Sequence, residues 1–241
     1  MYADAAAARA RHPALWRLVR RFNPPVQLAV IAALEVASQA RDPAAAQLIS
    51  MAPCQTGSAE LYRWVEELML EPGDQPGPLR VNPTHTLHAV DNLALSAVAI
   101  ELGNHGAGVG LGGSAGQLWE GLDMALAAMA PAGDSDEVLL FAGDQASPRG
   151  GPAVGVAALL SRHGAGGIVL EEVVFRRAAT AGARGLEAGA EASPEPTPHS
   201  ALGLVAMLEV LGAAPPGPFV YEVPAAHRDG LDLVEVRGDI R

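Results

Sequence analysis

The stretch from Leu87 to Met129, LHAVDNLALSAVAIELGNHGAGVGLGGSAGQLWEGLDMALAAM, limits the folds open to this 241-residue chain more than any other. Apolar and small residues recur at helical spacing from Leu87 to Leu102, glycines then break the pattern, and a second helical pattern runs from near Ser114 to Met129. Between them, Ala107 to Leu111 has room only for a short strand of small residues. The expected order is helix, buried strand, glycine turn, helix, with Ser114 and Ala115 at the N-terminus of the second helix. Backbone N–H groups there lack intrahelical partners and point at whatever lies ahead of them, so the position suits a nucleophile or an anion.

Elements around this stretch follow from periodicity and punctuation. Pro13 to Arg21 reads as a short basic helix with a stripe of Leu15, Trp16, Leu18 and Val19. Asn23 followed by Pro24 and Pro25 is a helix-start signal, and the helix from Pro24 to Ala40 is apolar nearly all round, so it is expected to be buried. Gln47 to Met51 reads as a short strand and Ser58 to Leu70 as an amphipathic helix, followed by a loop rich in Pro and Gly from Glu71 to Pro83. Glu137 to Gly143 (EVLLFAG) is the most strand-like run. Gly151 to Arg162 and Gly167 to Phe175 read as two more strands, joined by a glycine turn and expected to pair antiparallel. Residues 180 to 198 carry one large apolar residue, Leu186, and are expected to form a flexible loop. A helix from His199 to Leu211 and strands at Phe219 to Val223 and Leu231 to Val236 complete the chain. Helices and strands alternate through the first 145 residues, the pattern of a layered α/β domain.

Charge and composition exclude several function classes. Sixteen basic against 27 acidic residues leave a net charge of −11. All the basic residues are arginine, so a P-loop lysine and Schiff-base chemistry are ruled out. No clustered positive charge beyond Arg17, Arg20 and Arg21 stands out, which disfavours nucleic acid as a partner. The lone cysteine, Cys54, excludes an intrachain disulfide and a thiolate zinc cluster. No apolar run is long enough to span a bilayer and the first residues lack the apolar core of a signal peptide, so a cytoplasmic protein with no membrane contact is expected.

Three constellations bear on chemistry. Gly108, Gly110 and Gly113 fit G-x-G-x-x-G, but the segment ahead of them is helical rather than the opening strand of a dinucleotide site; close packing of strand and helix accounts for these glycines better. Gly112 to Gly116 spell G-x-S-x-G in the strand, turn, helix context of a nucleophile elbow. Ser114 would then attack, with His199 or His227 as base and Asp144 or Asp232 as orienter. Cys54 has no His or Arg close in sequence to lower its pKa and reads as a buried thiol. Of the seven histidines only His85 and His88 show ligand spacing. With Asp91 as the lone nearby acid, a helix start explains that pair better than a metal, so neither metal nor cofactor is expected.

The run VDNLALSAVAIELGNHGAGVGLGGSAGQLWEGLDMAL resembles, without a gap, the N-terminal half of the β-ketoacyl synthases, which have a thiolase-like fold. Asn92 falls on the family's helical Asn, Leu102-Gly103 on its hydrophobic-glycine pair, and Ser114, Ala115, Gly116 and Gln117 on the run that carries its catalytic cysteine. EVLLFAGD and GPAVGVAALLSR match the two strands that follow, so the likeness covers roughly residues 24 to 175. It implies a mixed α/β domain over residues 1–241, the N-terminal half of the thiolase fold, with a five-stranded sheet between helices.

The nucleophile position is Ala115, and the resemblance implies that the catalytic histidines and lysine belong to a second half that this chain does not contain. Without them the chain has nothing to hold an acyl thioester or promote its condensation. The pattern is similar to the truncated chain-length-factor subunits of type II polyketide systems that make aryl polyenes. That resemblance implies a silent subunit paired with an active β-ketoacyl synthase and served by an acyl carrier protein. Its central helices and the strand Ala107 to Leu111 would lie at the interface, and Asn92, Ala115, Gly116, Gln117, Leu118 and Trp119 would border the partner's acyl tunnel. Two rival readings stay open: a serine hydrolase or acyltransferase using Ser114, and a non-enzymatic scaffold that binds acyl carrier protein.

Overall fold

The computed structural model describes residues 5–51, 92–112, 117–145, 152–163, 167–176, 200–224 and 233–241. The chain opens with two short helices, α1 (Ala5–Arg11) and α2 (Pro13–Val19). The first of these has no counterpart in the sequence reading. Helix α3 (Pro24–Ala37) starts where Asn23 predicts, the Asn23 side chain accepting the Val26 N–H at 3.2 Å. Its uniform apolarity is matched by burial on nearly every side.

Strand β1 (Gln47–Met51) is followed, after residues outside the described set, by α4 (Leu93–Leu102), β2 (Gly108–Leu111), α5 (Gln117–Met129), β3 (Glu137–Gln145) and β4 (Ala153–Ser161). The expected helix at Ser58 to Leu70, the loop after it, Cys54, His85, His88 and the loop at 180 to 198 all fall outside the described residues. Helix α4 closes on Gly103 at φ +58°, whose N–H reaches back to the Ala99 and Ile100 carbonyls. That left-handed cap ends the helix and turns the chain towards β2.

These strands form one sheet in the order β2-β1-β3-β4. β1 is parallel to both neighbours, and β4 runs antiparallel to β3. Among the described residues this mixed sheet has four strands. The expected antiparallel pairing of the strands on either side of residues 162–167 is corrected. Strand β5 (Ile168–Arg176) leaves β4 and joins a second, antiparallel sheet, β5-β7-β6, with β6 (Gly217–Pro224) and β7 (Leu233–Ile240). Helix α6 (Ser200–Ala213) intervenes.

Side chains alternate across the main sheet with the two-residue period of a strand. Leu48, Leu139 and Phe141 face α3 and α4 and form one core; Ile49, Met51, Val138, Leu140 and Ala142 face α5, α6 and the second sheet and form another. Covered on both sides, β3 is apolar from Val138 to Gly143, which is why that run shows no alternation in sequence. The layers are therefore helix, sheet, helix, with the small sheet added over the α5 and α6 side.

Backbone meets backbone where α3 crosses β3 and β4. Gly143 and Gly155 are register partners in adjacent strands. A Cβ at Gly143 would stand 2.2 Å from the Pro25 carbonyl oxygen, and one at Gly155 2.2 Å from the Leu28 carbonyl carbon. Only hydrogens fit there. Gly155→Ala is accordingly expected to lower unfolding free energy by about 1–3 kcal/mol, the usual cost of overpacking, in urea titration. Gly212→Ala, at a helical glycine with nothing within 4 Å, should instead raise it by roughly 0.5–1 kcal/mol.

Candidate interface and nucleophile-loop site

The candidate site is built at the C-terminal ends of the parallel strands. Met51, at the end of β1, is flanked in register by Leu111 of β2 and Ala142 of β3. Ligands of open parallel sheets bind beyond these ends, next to the helix that follows a strand. Here that helix is α5. Its Gly121 lies against the sheet so closely that a Cβ would come within 3.1 Å of Leu140 Cδ1, 3.2 Å of Met51 Sδ and 3.5 Å of Leu111 Cδ1. At its far end the helix is held by Arg162, which follows β4. The guanidinium donates to the carbonyls of Met129, Ala130, Gly133 and Ser135 at 2.8–3.3 Å. A cation among the last carbonyls of a helix satisfies their missing partners and opposes the dipole.

β2 ends at Leu111 and α5 begins at Gln117, so the strand, turn, helix order expected of this stretch is present on both sides of the turn. Ser114, Ala115 and Gly116 themselves lie outside the described residues, as do His199, His227 and Asp232. Gln117 is the first residue of α5.

β2 is not the buried strand that its small residues suggest. Among the described residues it is the edge of the sheet, with Gly108 and Gly110 exposed and Val109 and Leu111 half-buried. Its alignment is fixed from behind. Leu48 N donates to Ala107 O at 2.9 Å, His105 N donates to Ala44 O at 2.8 Å, and the Asn104 amide donates to the carbonyls of Pro43 and Ala46 at 3.0 and 2.8 Å. Asn92, at the start of α4, is exposed and stands over β2, where a Cβ on Gly110 would approach its Cβ to 3.4 Å. At Gly108 the same construction meets Leu95 at 3.6 Å, ordinary contact, so strand–helix packing here tolerates glycine without requiring it. Ile100, on the outer side of α4, is 80% exposed.

Leu118 and Trp119 turn inward, 2% and 5% exposed, into the second core. The Trp119 ring lies 6.3 Å from that of Tyr221 on β6 at a tilt of 41°. Trp119 therefore joins α5 to the small sheet, a contact that the helical stripe in the sequence did not reveal because its partner is about a hundred residues away. Asp144 was likewise read only as a possible orienter of a histidine. It is fully buried at the end of β3, and its Oδ2 accepts the N–H groups of Ala201 at 2.6 Å and Leu202 at 3.2 Å, capping α6. Among the described residues no group of three His, Cys, Asp or Glu side chains lies together in a way that could hold a metal ion, and no helix is long and apolar enough to cross a membrane.

No protein-family model matches the sequence, nor does any curated protein. Among solved structures, the chain is similar to a chain of the complex of a ketosynthase (ApeO) with its chain length factor (ApeC) from Xenorhabdus doucetiae. The TM-score is 0.56 at 18% identity, over 92% of this chain and 80% of that one. The fold is thus the layered, thiolase-like α/β fold of that ketosynthase complex, and the likeness extends beyond the residues 24 to 175 that the sequence suggests.

Trp119→Ala should destabilise the chain by about 3–5 kcal/mol, the cost of emptying a buried aromatic site, in urea titration. Burial pushes the Tyr221 hydroxyl above its usual 10.0. A raised acid holds its neutral form in the folded state, so the associated stability is present below that value and is lost as pH rises through the folded pKa. Tyr221→Phe should flatten the alkaline arm of a melting temperature against pH profile above about pH 10.

Proposed function

We propose that the chain is a catalytically silent, ketosynthase-like subunit, a chain length factor that pairs with an active β-ketoacyl synthase and shapes its acyl or polyene tunnel. The observation that carries this reading is the open outer side of the α4–β2 unit. Among the described residues β2 is an edge strand with no neighbour on its outer side, and α4 beside it holds Ile100 80% exposed. An edge strand can pair with or be covered by another chain, and an exposed apolar side chain beside it adds surface that such a partner would bury. The fold likeness to a ketosynthase and chain-length-factor complex supports a ketosynthase as that partner.

Silence follows from chemistry. At the position where the resembling family carries its cysteine, Ala115 offers a methyl group, so no acyl thioester forms on this chain. Its contribution is then shape. Asn92, at the start of α4, and Ala115, Gly116 and Gln117, which follow β2 in sequence, would border the partner's tunnel. Leu118 and Trp119, anchored in the core behind them, would keep that wall stiff. An acyl carrier protein would deliver chains to the partner's cysteine.

Size-exclusion chromatography of the chain co-expressed with a ketosynthase encoded beside it tests the pairing. A heterodimer is expected; a well-behaved monomer and a separate ketosynthase homodimer would end the reading. Ile100→Asp should weaken the complex at least about tenfold while leaving the isolated chain's circular dichroism unchanged, since the residue is 80% exposed. Ala115→Phe should shorten the partner's products by mass spectrometry, and Ala115→Cys should create no condensing activity on its own. Covalent labelling of Ser114 by a fluorophosphonate would instead point to hydrolase chemistry.

A further inference from the structure

The two N-terminal helices form a feature that neither the interface nor the nucleophile loop uses. Between α1 and α2 lies an open groove of about 690 Å³ lined by Ala6, Arg9, Pro13, Trp16, Arg17 and Arg20. The three arginines are exposed, and among the described residues none of them forms an ion pair. Arg11 differs: it is bound to Glu35 of α3 at 2.8 Å, together with His12 at 3.7 Å, and these contacts help hold the helices in place. Trp16 is half-buried and packs on the first core, giving the groove a rigid aromatic wall.

Charge is strongly segregated around it. Five of the chain's sixteen arginines fall between positions 9 and 21, and no acidic residue occurs from 5 to 34. The other 11 arginines face 27 acidic residues, so the chain apart from this segment carries 11 − 27 = −16. A solvated surface normally mixes both signs, and unpaired arginines gathered on one groove raise a local positive potential that complementary groups can relieve. Guanidinium groups favour carboxylates because their planar donors match two oxygens at once, and they stack against aromatic rings.

We propose that the Arg9, Arg17, Arg20 and Trp16 groove docks an acidic helical segment of another protein. The strongly negative remainder of the chain repels an extended polyanion such as a membrane surface or nucleic acid. A compact acidic face can be bound by the groove without meeting that remainder. The groove's size and open shape suit one helix edge, with carboxylates at successive turns on the arginines and an apolar side chain against Trp16. This assignment is independent of the α4–β2 contact, which lies on other elements.

The test is fluorescence anisotropy with a labelled helical peptide of about 16 residues, glutamates at every fourth position and leucines beside them. The expected result is saturable binding that weakens steeply from roughly 50 to roughly 500 mM salt. Arg17→Glu/Arg20→Glu should lower affinity at least about tenfold, whereas Arg241→Glu, remote from the groove, should leave it unchanged. Because both groove residues are exposed and neither forms an ion pair among the described residues, circular dichroism should show the double variant folded. Equal binding by the double variant, or no salt-sensitive binding at all, overturns the proposal. So does preferential binding of inorganic phosphate or of phosphatidylglycerol vesicles through the same arginines. Self-association lost on the double substitution would assign the groove to a second copy and likewise overturn it. None of these outcomes bears on co-elution with a ketosynthase, so the two readings stand or fall separately.

Discussion

Helix α3 rests its backbone directly on the sheet because β3 and β4 place Gly143 and Gly155 side by side, leaving a notch the width of a missing pair of methyl groups. Most helices lie about 10 Å from a sheet, held off by side chains. Here the first turns of α3 come closer, and the large side chains around the notch close over it: Leu28 and Ile31 from the helix, Leu139 and Phe141 from the strand. This contact fixes which face of the sheet α3 covers. The other face is then left to α5, α6 and the small sheet, and β2 is left at the edge.

From that arrangement the site follows. β3 and β4 occupy one flank of β1, so among the described residues β2 has a single neighbour, β1. α5 is then laid down from the end of β2 back across the strand ends, close at Gly121 and clamped at its last turn by Arg162. The segment between β2 and α5 is therefore flanked by firmly held elements on both sides. In the proposed function these supports would stiffen a tunnel wall against a growing chain.

The local signals in the sequence were read correctly where one element's own residues carry them. Asn23-Pro24-Pro25 starts a helix because its side chain and ring satisfy needs within one turn, and Gly103 ends α4 because only glycine accepts the left-handed cap without strain. The helix, strand, glycine turn, helix order around 87–129 is of the same kind. α1 escaped notice since a run of alanines has helical propensity but no apolar stripe; what holds it is contact with α2 and α3. At the candidate site the order of elements was legible and its exposure was not. Small residues at Ala107 to Leu111 look like a buried strand, yet whether such a strand is central or at an edge depends on neighbours that composition does not encode.

The sequence by itself determined most of the elements, the burial of α3 and of the apolar run in β3, an alanine at residue 115 and the clustering of arginines near the start, because each is written in adjacent residues. Tertiary structure alone decided the partners. β4 and β5 are separated by a short glycine-rich turn and would pair as a hairpin on proximity. Instead β4 completes the main sheet on β3, and β5 crosses to β7 more than fifty residues away. Trp119 meeting Tyr221 and Asp144 capping α6 belong to the same class. Such contacts are set by which apolar faces remain uncovered once the nearer layers have packed, a condition of the whole chain that no local pattern contains.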